Sequence, residues 1–265
     1  MLSLSKYRWA GLLGLMAALP LTVNADLRWA DGTDGSFGDL DNWGAWGDGT
    51  VVPTAPTGNT TALTGQTVRA YNDGSILRIG AGDSYSVNMI YLNNNDKGAD
   101  GSLVELIQTD GSLTVSETLQ LGRENQGTGT AAAAYTISGG SLTGKKVVFG
   151  SSSANLFKVE GGTVTLSDRI QANASGNMNI DISGGSVTAK GLRFEGAAVG
   201  SIAMMGGSLT LNGENSYFGN KEGGAMTMTM ENDAQFSTTS GVATVGFAVD
   251  KNTSLDLTMS DTRAC

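Results

Sequence analysis

The chain has 265 residues, among them 39 glycines, three prolines, one cysteine and no histidine, with a formal net charge of −9. A hydrophobic share of 40% suffices for a core and excludes global disorder. An acidic chain with no basic patch also excludes nucleic acid and anionic lipid as primary partners. The apolar residues are mainly Val, Ile, Leu, Met and Ala set among Gly, Ser and Thr. That is the composition of many short strands joined by tight turns.

Residues 1–25 read as a cleaved secretory signal. Lys6 and Arg8 form a basic start, an apolar run extends from Trp9 to Leu21, and Val23 and Ala25 supply small residues for cleavage. The run is short for a membrane span and no second one follows, so no span is expected in the mature chain. An uncleaved N-terminal anchor is the rival reading. Cleavage before Asp26 removes Lys6 and Arg8 and takes the net charge from −9 to −11.

Residues 26–70 form a distinct segment holding Trp29, Phe37, Trp43 and Trp46. A solenoid end exposes apolar residues and an open strand edge. We therefore expect an N-terminal cap, with Trp29 and Trp43 covering the first coil. A sugar-stacking platform is the functional alternative.

Residues 71–265 read as β-helix repeats. From Asp110 the chain divides at Gly139, Gly161, Gly184, Gly206, Asn232 and Asp261, at spacings of 29, 22, 23, 22, 26 and 29 residues. A period in this range points to a solenoid. Three residues after successive cuts stand Leu113, Leu142, Val164, Val187 and Leu209. Before the next cuts come alternating pairs, such as Tyr135 and Ile137, Phe157 and Val159, Ile180 and Ile182, and Ile202 and Met204. A third, middle strand reads Leu119-x-Leu121, Val147-x-Phe149, Ile170-x-Ala172, Leu192-x-Phe194 and Ala243-x-Val245.

Three short strands per unit fit an all-β parallel β-helix, right-handed being the usual hand, better than a propeller or an up-and-down barrel. Leu142, Val164, Val187 and Leu209 should form one inward ladder, and Phe157, Ile180, Ile202 and Met228 another. Gly-Gly should mark a corner that needs positive φ and close approach of neighbouring coils. Upstream, "ILRIG" (76–80) and "MIYLNN" (89–94) read as further middle strands, giving about seven to eight coils and a rod roughly 35–40 Å long. The insert at 122–134 should bulge from one corner.

The opening "LRWADGTDGSFGDLDNWGAWGDGTVVPTAPTGNTTAL" and the recurring "ISGGSLT" and "VEGGTVTL" resemble exported proteins of Verrucomicrobia and Planctomycetes. Those proteins carry autotransporter-associated β-strand repeats or a PEP-CTERM sorting tag. The resemblance covers essentially the whole mature chain. It implies a passenger-like β-helix of the cell surface or matrix in a Gram-negative-type bacterium. The sequence departs from the pattern at "DLTMSDTRAC", which lacks a barrel segment or sorting tag, so the expectation is a truncated or a released protein. Cys265 has no partner within the chain.

Without histidine, Ser-His-Asp and Cys-His nucleophiles, His-bound zinc and a His general base are excluded. Carboxylate chemistry survives: Glu160, Asp168, Asp181, Glu195 and Glu214 are the acids of the regular coils. Their offsets from the cut differ, and a glycosidase needs two carboxyls facing each other across a sugar. Asp181, between Ile180 and Ile182, should point to solvent. Asp31, Asp34, Asp39, Asp41 and Asp48 make an oxygen-rich segment, but it lacks a known Ca²⁺ loop pattern and Asp-Gly is ordinary turn chemistry. Lys145, Lys146, Arg169 and Lys190 could line a weak basic stripe or be solvated surface. Asn93, Asn94 and Asn95 read as an amide ladder.

The expectation is therefore an exported, non-enzymatic surface, matrix or adhesion-type protein, located extracellularly or on the outer cell surface. A polysaccharide-binding or polysaccharide-degrading β-helix is the alternative. No catalytic residue, metal ligand or cofactor is assigned. The ligand-binding residues stay unassigned, and the partners expected are extracellular polysaccharide or cell-surface components.

Overall fold

A computed structural model describes residues 26–29, 34–45, 63–71, 74–93, 103–122, 132–151, 154–173, 176–195, 197–213, 216–218, 225–238, 247–249 and 254–260. Residues 1–25, Asp31, Trp46, Asp48, Asn94, Asn95, Glu214, Ala243, Val245 and Cys265 lie outside the described residues. The chain opens with β1 (Asp26–Trp29), β2 (Asp34–Ser36), a 3-10 turn (Leu40–Asn42), β3 (Trp43–Ala45) and β4 (Thr67–Ala70). Then come β5 (Ser75–Ile79), β6 (Ser84–Leu92), β7 (Leu103–Gln108), β8 (Ser112–Leu121), β9 (Ala132–Ile137) and β10 (Ser141–Phe149). Three coils of separate strands follow: β11 (Leu156–Val159), β12 (Thr163–Leu166) and β13 (Arg169–Ala172); β14 (Asn177–Ile182), β15 (Ser186–Ala189) and β16 (Gly191–Phe194); β17 (Val199–Met204), β18 (Ser208–Leu211) and β19 (Ser216–Phe218). The last elements are β20 (Ala225–Glu231), β21 (Gln235–Thr238), β22 (Phe247–Val249) and β23 (Ser254–Ser260).

The fold is an all-β parallel solenoid. Among the described residues, the first sheet has 14 strands and the second nine, ordered β2-β5-β7-β9-β11-β14-β17-β20-β23. The coil count differs slightly from the expected seven to eight. Among the described residues every strand pair is parallel except β1 with β3.

Both expected ladders form. Leu142, Val164, Val187 and Leu209 are stacked in register, and Phe157, Ile180, Ile202 and Met228 likewise. All eight are buried and belong to one core running from Trp29 to Met230. Alternation places every second residue inward, and stacking covers each rung with the next, which a single coil cannot do alone.

The two glycines of each turn serve different needs. A Cβ on the first would lie 2.2 Å from the Thr109 carbonyl oxygen at Gly139, and 2.3 Å from that of Ser138 at Gly161 and of Glu160 at Gly184. The second glycine has positive φ, 72° at Gly140 and Gly162 and 65° at Gly185. In the last coil Asn232 takes the left-handed conformation at φ 55°, a role open to Asn because its short amide bonds locally. Asn232 Nδ2 donates to the Met205 carbonyl at 3.2 Å.

Two sequence expectations shift. Ile76–Ile79 is not a middle strand. It lies in β5 of the second sheet, beside β7. An I-L-R-I alternation looks the same on either sheet, and the corner is spelled Gly80-Ala-Gly82-Asp83 rather than Gly-Gly, so the phase slipped by one strand. At the far end the strand stacked on β19 is β22, Phe247–Val249, four residues after Ala243.

The N-terminal end is capped as expected. β3 pairs antiparallel with β1 and places Trp43 opposite Trp29, both buried. Their rings meet edge to face at 4.9 Å, and Phe37 packs on Trp43 at 5.4 Å and on Tyr85 at 5.1 Å. The Trp43 indole N–H donates to the Phe37 carbonyl at 2.9 Å. This burial removes Trp29 and Trp43 from any sugar-stacking role.

Candidate functional surfaces

The acidic residues go to different corners of the coil. Glu160 follows β11, where Lys158 Nζ meets its Oε1 at 2.5 Å. Glu195 follows β16 and receives Arg193 Nε at 2.8 Å. Asp168 sits at the bend between β12 and β13, 4.0 Å from Arg169 Nε. Each of these three carboxylates lies beside a neighbouring cation. Among the described residues no group of three or more acidic, histidine or cysteine side chains is placed to hold a metal ion.

Asp181 departs from the expectation of a solvated carboxylate. Alternation does turn it outward, but it is half-buried, and its Oδ1 is enclosed without a hydrogen-bond partner. In register its neighbours are Lys158 on one side and Ala203 on the other. Glu160, with a smaller contribution from Asp181, holds the Lys158 ammonium above its ordinary range.

The basic stripe is also revised. At the bend of the first sheet the Asp168 amide donates to the Lys145 carbonyl, the Lys190 amide to Asp168, and the Gly213 amide to Lys190. Lys145 Nζ donates to Glu117 Oε2 at 2.5 Å. The column therefore alternates in sign, Glu117, Lys145, Asp168, Lys190, with its bends joined by backbone hydrogen bonds. Offsets counted from the glycine cut cannot resolve this, because strand and bend residues share similar offsets.

Amides do serve as a corner device. Asn93 has φ 51°, is buried, and donates Nδ2 to the Ala132 carbonyl at 2.8 Å. Asn155 accepts from the Ala133 amide at 3.1 Å and donates to the Gly150 carbonyl at 3.3 Å. These bonds tie corner side chains to the start of β9 and to the turn at Gly150.

Sequence reasoning missed two features. One lies in the core: Gln108 occupies an inward rung between Ile79 and Ile137 and is fully buried. Its Oε1 accepts the Tyr135 hydroxyl at 2.5 Å, and its Nε2 donates to the carbonyls of Gly111 and Ser141 at 3.2 and 3.1 Å. Burial pushes the Tyr135 hydroxyl far above its usual range, so it remains a neutral donor.

The other lies on the outer side of the middle strands. Arg28, Arg69, Tyr91, Gln120, Val148, Gln171 and Arg193 stand in one row by register. The Arg69 guanidinium lies over the Tyr91 ring at 4.4 Å and donates to the Tyr71 hydroxyl at 3.1 Å. Arg169 Nε donates to Gln171, whose Nε2 donates to Asn173. The middle of the row is closed: Gln120 and Val148 are each 2% exposed.

No family model, curated protein or solved structure matches the chain. Among the described residues no helix is long and apolar enough to cross a membrane.

Proposed function

We propose that the chain is an exported, non-enzymatic β-helical module of the cell surface or extracellular matrix, of adhesion type. One observation carries the reading: successive coils stack in register, so each outward side chain recurs one strand spacing along the axis. A surface built this way binds through many weak, evenly spaced contacts rather than in a pocket. Glu160, Asp168 and Glu195 support it, since each stands at a different bend beside a cation.

Expressed with residues 1–25 in a Gram-negative host, the protein is expected in the outer-surface or medium fraction with Asp26 at its N-terminus. Retention in the cytoplasm with the leader intact would overturn export. Reducing-end release from an acidic glycan, lost in a Glu160→Gln or Glu195→Gln variant, would overturn the non-enzymatic reading.

The row of Arg69, Tyr91 and Arg193 favours the alternative, a polysaccharide-binding β-helix, because planar polar groups and an aromatic ring suit a sugar chain. Its closed middle makes this the second reading. Loss of glycan retention in Tyr91→Ala would promote it to first.

A further inference from the structure

The outer face of the first strand in each coil carries two rows of hydroxyls. Ser84, Ser112, Ser141, Thr163, Ser186 and Ser208 form one row, each paired with the next by backbone register. Ser86, Thr114, Thr143, Thr165, Thr188, Thr210 and Ser237 form the other. All these side chains are exposed or half-exposed. The hydroxyls also bond along the rows: Ser112 Oγ donates to Ser84 Oγ at 2.9 Å, and Thr210 and Ser237 share a bond of 2.9 Å.

The result is a two-dimensional grid. Rungs repeat every ~4.8 Å along the axis, and the rows lie about 6.7 Å apart, two residues along an extended strand. From Ser86 to Ser237 the longer row spans about 29 Å. Five consecutive threonines hold its centre, and a β-branched side chain in a strand has few χ1 choices, so methyl and hydroxyl recur in similar places.

The strand segments under the grid read SYSV, SLTV, SLTG, TVTL, SVTA, SLTL and QFST, without one charged residue. The outer face of the second sheet, in contrast, carries Arg78, Glu105, Lys158 and Asp181. In an acidic chain, this two-row strip is thus kept neutral, with the alternating column of Glu117, Lys145, Asp168 and Lys190 along its border.

We propose that this hydroxyl grid is a binding face for ice. The complement of an uncharged, in-register grid of evenly spaced donors and acceptors is an uncharged lattice with the same alternation of donors and acceptors. Ordered water in ice supplies that, with repeats close to both grid spacings. Waters seated between neighbouring hydroxyls would continue the lattice at little ordering cost, since the side chains that hold them are already fixed. No single contact is strong, but the contacts engage together. A sugar chain suits this face less well, because it presents no outward aromatic ring. The inference deepens the reading above by naming what the surface would adhere to, and its test does not depend on export.

The purified full chain is assayed for crystal shaping, thermal hysteresis and inhibition of ice recrystallisation. Faceted crystals and arrested recrystallisation are expected. Thr165→Lys, at the centre of the grid, should lower potency about tenfold or more. Ala203→Lys makes the same change on the other sheet beside Asp181 and should leave potency unchanged. Circular dichroism and melting establish that each variant folds. Should Thr165→Lys fail to fold, Thr143→Lys, its exposed neighbour in register, replaces it. Normal ice growth in the presence of folded protein overturns the proposal, as does equal loss in the Ala203→Lys control. Retention on crystalline cellulose or chitin without any effect on ice also overturns it, in favour of the polysaccharide alternative.

Discussion

The N-terminal end and the middle coils bury apolar surface by different means. In the middle, each rung is covered by the rungs on either side, so residues of modest size such as Val164, Val187 and Ile180 are fully enclosed. At the end one neighbour is missing. Trp29, Phe37 and Trp43 fill that side from an irregular segment, and antiparallel β3 occupies the strand edge. The glycines differ in the same way. A Cβ at Gly161 or Gly184 would strike backbone of the previous coil, whereas at Gly38 it would strike the Tyr85 side chain. Repetition fixes the middle through backbone spacing, and the end is fixed by side-chain bulk.

The largest expected effects test this division directly. Trp43→Ala should cost about 3–5 kcal/mol and Ile180→Ala about 2–5 kcal/mol. Hydrogen exchange should distinguish them, because solenoid coils depend on nearest neighbours. The Trp43 variant should lose protection in β1 to β6 and keep it from β11 to β18. The Ile180 variant should lose it around β11, β14 and β17. Uniform loss along the whole chain in both variants would make the cap and coils one cooperative unit and break the comparison.

A smaller effect concerns the polar pair in the core. Tyr135→Phe leaves Gln108 Oε1 buried without its donor and should cost about 1–3 kcal/mol in urea unfolding. Adding Gln108→Leu should restore much of that loss, because it removes the orphaned Oε1, at the cost of the Nε2 bonds to Gly111 and Ser141. If the double variant is less stable than Tyr135→Phe alone, the two further bonds from Gln108 Nε2 to Gly111 and Ser141 outweigh the pair.

How far the sequence could be read follows from the same physics. Alternation of period two, anchored by Gly-Gly, specifies both register and inward face, so the ladders through Leu142 and Phe157 could be written down in advance. Where Gly80-Ala-Gly82-Asp83 replaces Gly-Gly the anchor is lost, and the pattern alone cannot tell which sheet β5 joins. Gln108 is invisible in the sequence because a polar residue in a strand reads as outward, and its bonds to Tyr135, Gly111 and Ser141 make it tolerable inside. The alternating charge column depends on backbone bonds at a bend, which spacing does not encode. The hydroxyl grid did leave a signal, Ser/Thr-x-Thr after nearly every turn. It carries meaning only once the coils are known to stack in register.

The smallest effect lies at the junction of cap and coil. Asp34 of β2 receives both Arg78 Nε, at 2.5 Å, and Nη2, at 2.9 Å, from the neighbouring strand β5. The hydrogen bonds from Arg78, chiefly, hold the Asp34 carboxyl below its ordinary value of 3.8. A carboxylate whose folded pKa is depressed adds stability above its unfolded pKa and loses it as pH falls through the folded value. The contribution should therefore be intact near neutrality and fade below about pH 4. Both side chains are about half-exposed, so the effect is screened and should shrink further in salt. The reporter is the Phe37 amide, which donates to the Arg78 carbonyl at 2.8 Å beside this pair. Its exchange protection should decline on acidification in the parent chain, ahead of β11 to β18. Asp34→Asn should show the lowered protection already at neutral pH and a flatter acid response. An unchanged acid response in Asp34→Asn would assign the fraying to another carboxylate and leave the Trp cluster alone to hold the cap.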